Sequence, residues 1–288
     1  MYGGKFGPSR SHLEEALALY DPTSHRPLVH QVGTHPHVNS LAFLGNVLFC
    51  LGYPDQALMQ SNAAVVEARR LAHAPSLAQS LAFGAVLLSL LGDNAVLGEW
   101  VDQLVAVTIE QGFAHWGALG GIYRGWVTAK NGDVAEGISL LRSGLAASRA
   151  TGAETYMPHH IALLARACGV AGQIEDALAL LDDALRLVER TGERWFAAEL
   201  NRHKGQLLLQ QGHPEAAEEL YRKALSTAVE QEAKLWELRA AAGLARLRRD
   251  QGRCTEARDL LAPVYGWFTE GFNTPDLKEA RAVLDELG

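Results

Sequence analysis

The side chains best suited to recognise a ligand are the arginines Arg166, Arg202, Arg239, Arg246 and Arg249, on a chain whose formal net charge is −7. A guanidinium is planar and offers several N–H donors, so a row of them suits carboxylates on an acidic peptide or a chain terminus, taken in pairs of hydrogen bonds. Carboxylates of the chain itself, Glu199 and Glu237 among them, would satisfy the same arginines as salt bridges between repeats. The sequence leaves both readings open.

Other chemistry is harder to assemble. His25, His30, His35 and His37 raise metal binding, because imidazole is a common ligand. Pro36 denies them the i, i+4 helical placement, and no cysteine or carboxylate cluster completes a tetrahedron, so the stretch reads as a solvated loop. There is no strained GxSxG turn and no cysteine with a His and Asn partner. Gly3-Gly4-Lys5 lacks the spacing and the following Ser or Thr of a phosphate-binding loop. Cys50, Cys168 and Cys254 are far apart with no CxxC, which fits reduced thiols rather than a disulfide framework or a zinc knuckle. The residues propose no reaction, no metal site and no cofactor.

The elements that would position the arginines follow from self-similarity at a fixed period. Gly52, Gly92, Gly132, Gly172, Gly212 and Gly252 stand 40 residues apart. Each closes a helix-like segment and opens a short turn, as in GYPDQA and GHPEAA. Gly112, Gly152 and Gly192 lie halfway between, dividing each repeat into a helix A before the main glycine and a helix B after it. Seven residues before the glycines stand Gly45, Ala85, Gly125, Ala165, Gly205 and Ala245. This column of small side chains is where helix A can cross its partner closely. Ala57, Ala177, Ala217 and Ala257 form the matching column on helix B, with Leu97 and Gly137 in the deviant repeats. Leu141, Leu181, Tyr221 and Leu261 follow four residues on, and Gly144, Ala184 and Ala224 three beyond the first three of them, the spacing of one buried face. The small, small, large, small order is the tetratricopeptide pattern, so the expected fold is all-α: a right-handed superhelical solenoid of antiparallel helix pairs.

That register assigns side chains to the concave face lined by the A helices. In the amino-terminal half they are small, amide or apolar: Asn39, Asn46 and Gln79, with Trp126 mid-groove as the anchor for an apolar group. In the carboxy-terminal half His159 and Arg166 are followed by Glu199, Arg202 and Gln206, then by Arg239, Arg246 and Arg249. Trp116, Trp195 and Trp236, each at the start of a helix A, read as packing between repeats.

The bulk numbers restrict the partners. A pI of 5.9 gives no global basic field to draw in a phosphate backbone, so nucleic acid is not expected. The apolar run from Leu81 to Leu91 falls short of the roughly 20 residues of a membrane span. The amino terminus has no apolar secretory core, so a cytoplasmic protein with no membrane partner is expected.

One domain over residues 1–288 is expected, with a partial first repeat and loop over 1–36, repeats over 37–272 and a capping helix over 273–288. A B-type helix is predicted from about Ser9 to Tyr20, without the helix A that should cover it. Thr274 with Pro275 predicts the start of the cap. An uncovered amino end beside a capped carboxyl end predicts a piece of something larger, with a weakly held first helix.

The runs HLEEALALYDP, LGYPDQAL, TGERWFAAELNRHKGQLLLQ, WELRAAAGLARL and YGWFTEGFNTPDLKEARAVLDEL resemble the carboxy-terminal tetratricopeptide region of bacterial proteins that join a class III adenylate or guanylate cyclase domain to an AAA-type ATPase. The likeness covers nearly the whole chain and is densest from Thr191 onward. It implies a regulatory, protein-binding module that is not itself an enzyme, with a peptide or the upstream domains as partner. An alternative is a portion of a cyclase or ATPase polypeptide active only with those domains, and a weaker one is a small-molecule sensor.

Overall fold

A glycine just past a helix end takes the left-handed conformation that closes the last turn without crowding a β-carbon. Gly92 does so at φ 78°, its N–H donating to Leu88 O at 3.0 Å. In the computed structural model, which describes the chain except for residues 26–28 and 30–32, this device recurs and sets the element order. Helix α1 (Phe6–Ala18) and the single turn α2 (Pro22–His25) come first. Then come the pairs α3 (Pro36–Cys50) and α4 (Pro54–Arg70), α5 (Ala74–Leu91) and α6 (Asn94–Gln111), and α7 (Ala114–Lys130) and α8 (Val134–Ala150). They continue as α9 (Met157–Val170) and α10 (Ile174–Thr191), α11 (Ala197–Gln210) and α12 (Pro214–Glu230), and α13 (Lys234–Asp250) and α14 (Cys254–Gly266), before α15 (Pro275–Glu286). Among the described residues every regular element is helical, and the fold is an all-α solenoid of paired helices.

The chain divides into two compact units. The first comprises Gly7–Phe49 and Pro54–Glu154, the second Met1–Phe6, Cys50–Tyr53 and Thr155–Gly288. In both, the small-residue columns are buried at the crossings of A with B helices. In the first unit a β-carbon on Gly45 would stand 2.9 Å from Ala57 O; in the second, one on Gly205 would stand 3.2 Å from Ala217 O. Both pairs join the two predicted columns. Leu81, Leu87, Leu88, Leu97, Leu104, Ile122 and Tyr123 form the fully buried body of the first unit. Helix α5 is long and apolar enough by length and composition to cross a membrane, a stretch longer than the sequence reading marked out. Its window is 78% buried, as in a core helix.

In the second unit Ala217, Tyr221, Leu244 and Leu247 make one apolar cluster, with Leu208, Leu209 and Leu260 packed on it. Trp195 and Trp236 are fully buried, and Trp236 Nε1 donates to Trp195 O at 3.1 Å, so these tryptophans join successive repeats. Trp116 is only half-buried, its ring centre 6.4 Å from that of Phe83 in an edge-on arrangement. At the cap, Thr274 Oγ1 accepts the N–H of Leu277 with Pro275 opening α15, the start its residue types predict.

Three features depart from expectation. Helix α1 begins at Phe6 and ends at Ala18, because the buried Phe6 anchors its start and Pro8 lies within the first turn, where a missing N–H costs nothing. The segment carrying the histidines is not wholly solvated: His35 is buried, with its N–H donating to Ser76 Oγ at 2.8 Å. Tyr20 gathers it with His37, whose ring stacks at 4.5 Å. His30 lies outside the described residues. Finally, the half-repeat series is longer than the glycines Gly112, Gly152 and Gly192 reveal. Ala72 (φ 50°) and Glu232 (φ 57°) occupy the same register in the left-handed region, which costs an L-residue roughly 1–2 kcal/mol. Glu232→Gly is therefore expected to raise the unfolding free energy by about 0.5–1 kcal/mol, and Gly192→Ala to lower it comparably, in urea titrations. Coincident curves for Glu232→Gly and the natural chain would contradict the assignment.

Candidate functional site

Successive A helices carry their charged groups at matching phases, so residues about 40 positions apart come together. In the second unit, Glu199 sits near the start of α11 and is 1% exposed. One turn on, Arg202 Nε donates to Glu199 Oε1 at 2.6 Å and its Nη2 to Oε2 at 3.0 Å. From the next repeat, Arg239 Nη1 donates to Glu199 Oε2 at 2.9 Å. Arg239 also grips Asp276 on α15, Nε to Oδ1 at 2.7 Å and Nη2 to Oδ2 at 2.8 Å. Its guanidinium lies 5.1 Å from the Trp236 ring centre, a cation–π contact that fixes its plane. One arginine thus ties α11, α13 and α15.

Burial pushes the Glu199 carboxyl up, but Arg202 and Arg239 outweigh it and hold it far below the usual carboxylate range. Burial likewise works against the Arg239 charge, and Asp276 and Glu199 outweigh it. Burial, and then the charge of Arg202, pull the pKa of His203, 3.7 Å from Glu199, well below the ordinary imidazole value. Arg166, on α9, adds a third guanidinium to the cluster. Burial, then the charges of Arg202 and Arg239, pull its pKa down to about 10 in spite of Glu199 and Asp276.

The remaining predicted residues are placed as follows. Arg246 pairs with Glu279, and Arg249 with Glu286 and with Asp250. Gln206 is exposed. His159 and its neighbour His160 are both fully buried, His159 against Phe196 and Trp195. In the first unit Gln79 Nε2 donates to Asn39 Oδ1 at 2.8 Å, and Asn46 Nδ2 donates to Ala42 O at 3.1 Å and to Phe83 O at 3.2 Å. These amides stitch α3 to α5. Trp126 is 4% exposed, with Lys130 Nζ 5.8 Å from its ring.

Of the two fates open to the arginines, ion pairing is realised at all four of Arg202, Arg239, Arg246 and Arg249, within α11 for Arg202 and between helices for the other three. Glu237 takes Lys234 instead, at 2.7 Å. Sequence reasoning missed Asp276, Glu279 and Glu286, the acidic face of the cap. Their signal was present: 239 to 276 and 249 to 286 are both intervals of 37 residues, close to one repeat.

Paired helices closed by glycine, crossing at small residues and stacked at a 40-residue period define an α-solenoid of tetratricopeptide type. Residues 153–230 match the tetratricopeptide repeat model. A Rap protein complexed with competence and sporulation factor superposes with TM-score 0.63 at 13% identity, over 97% of this chain and 84% of that one. A tetratricopeptide repeat protein from Parabacteroides merdae gives 0.54 at 13% identity, over 97% and 99%. Yeast Tom70 gives 0.53 at 13% identity, over 98% and 58%. An uncharacterised protein of Rhizobium meliloti (strain 1021) is 26% identical over 200 residues, 69% of this chain and 19% of that protein. The chain thus matches about a fifth of that relative's length.

Removing the central carboxylate leaves two buried guanidinium groups short of a partner. Glu199→Gln is expected to destabilise the chain by about 3–5 kcal/mol in urea unfolding at pH 7. Because the folded carboxyl titrates below its unfolded value near 4.5, the contribution is complete above that pH and is lost as pH falls further. The gap between natural chain and variant should therefore close in acid. A gap that widens on acidification would contradict this.

Proposed function

We propose that the chain is a non-catalytic protein-interaction module that binds an acidic peptide, or an acidic patch of a neighbouring domain, on the A-helix face around Arg166, Arg202 and Arg239. The observation that carries this reading is the arrangement of three guanidinium groups about two carboxylates, Glu199 and Asp276. Arg202 and Arg239 use the oxygens of both carboxylates, and a fixed, partly dehydrated guanidinium surface takes a further carboxylate with paired hydrogen bonds. The Rap structure, which shares this chain's fold and was solved in complex with competence and sporulation factor, supports the same mode of action.

The runs shared with cyclase–ATPase proteins, YGWFTEGFNTPDLK above all, point to a bacterial signalling polypeptide as the context. There this module regulates by contact and leaves nucleotide chemistry to other domains. Binding on the Asn39, Asn46, Gln79 and Trp126 face has weaker support, since those amides are engaged with one another or with backbone and Trp126 is buried.

Arg166 lies on α9, outside the helices that the Glu199 and Asp276 pairs join. Arg166→Gln is expected to weaken capture of an Asp/Glu-rich probe peptide about tenfold by fluorescence anisotropy, with helicity by circular dichroism unchanged. Added salt should weaken the natural chain's binding in the same assay. Equal affinity of variant and natural chain would remove this face from the proposal.

A further inference from the structure

Residues 1–6 belong to the second unit, although the chain then leaves it for α1. Their placement has the character of a bound peptide. Tyr2 O accepts the backbone N–H of Trp195, just ahead of α11, at 3.0 Å. The Tyr2 ring meets Tyr156 edge-on at 5.6 Å, and Tyr156 Oη lies 3.7 Å from Met1 Sδ. Gly4 is buried at φ 76°, and a β-carbon there would overlap the Gln231 side-chain amide. Phe6 is fully buried, while Gly3 and Lys5 are exposed.

The receiving face is built in advance by the repeats. Glu193 Oε1 accepts both Tyr156 N–H and Trp195 Nε1–H at 2.8 Å, which sets the two rings against each other at 5.1 Å. Gln231 Nε2 donates to Arg194 O at 2.9 Å, fixing the side chain that excludes anything larger than glycine. Tyr156, Trp195 and Gln231 come from three successive B-to-A junctions, α8–α9, α10–α11 and α12–α13, so one short segment touches three repeats.

We propose that this face is a docking site for an aromatic, glycine-bearing segment, and that residues 1–6 occupy it as a displaceable strap. Occupation in cis has the advantage of effective concentration, so a modest set of contacts suffices to keep the site filled. A free segment of the same chemistry competes only once the strap is weakened. The proposal does not depend on the reading of the arginine cluster.

The test is hydrogen exchange at the Trp195 amide in the full chain, with a synthetic peptide of residues 1–6 as probe. The natural chain should protect Trp195 and ignore the peptide. Gly4→Ala, which forces a β-carbon onto Gln231 in a left-handed conformation, should speed Trp195 exchange about tenfold. Millimolar peptide should then restore protection saturably, and a peptide with alanine at its fourth position should not. If Gly4→Ala loosens α10 to α14 at large, Tyr2→Ala, which only deletes a ring, gives the same readout. Unchanged Trp195 exchange in both variants, or no rescue by peptide, would overturn the proposal. Protection that appears only with a concentration-dependent dimer would assign the site to a second copy's segment and overturn the occupation in cis.

Discussion

A β-carbon placed on Gly125 would stand 2.7 Å from Leu141 N and 2.9 Å from Gly137 O, both backbone atoms of α8. Two helices this close admit nothing larger at the crossing, and the same requirement recurs every 40 residues along the chain. It explains why the column at that position holds only glycine and alanine. The large residues, Leu141, Leu181, Tyr221 and Leu261, fall one turn further along the B helices and are all buried. With the crossing fixed, each A helix presents the remaining positions at one phase, and side chains a repeat apart are brought within bonding distance.

The charge network is a consequence of that phase. Glu199 and Arg239 are 40 residues apart and meet across a repeat boundary, while Arg202 reaches the same carboxylate from one turn along the same helix. A carboxylate this deeply buried is costly unless its lone pairs are filled, and here arginines fill both oxygens. The cap continues the pattern in reverse charge: α15 offers Asp276, Glu279 and Glu286 to arginines of α13. Helix α15 thus extends the ionic ladder with an acidic face.

Much of this was legible because glycine and alanine report backbone proximity directly. The main glycine series, the crossing columns and the Thr274 cap could be read from residue type and spacing alone. Positions where the backbone overrides the residue type could not. Ala72 and Glu232 hold left-handed conformations imposed by the repeat, with no glycine to announce them. Trp126, Asn46 and Gln79 sit at groove positions by phase, but the neighbouring A helices pack closely enough to bury them. The destination of residues 1–6 was equally hidden, since Gly3 and Gly4 carry no periodic signal and their partners lie more than 150 residues away.

Glu199 and Arg239 interact directly across the repeat boundary rather than each being held only by its own helix. A double-mutant cycle of Glu199→Gln and Arg239→Gln, read by urea unfolding at neutral pH, measures that coupling. A coupling free energy of about 1–3 kcal/mol is expected. Strict additivity of the two single substitutions would contradict it.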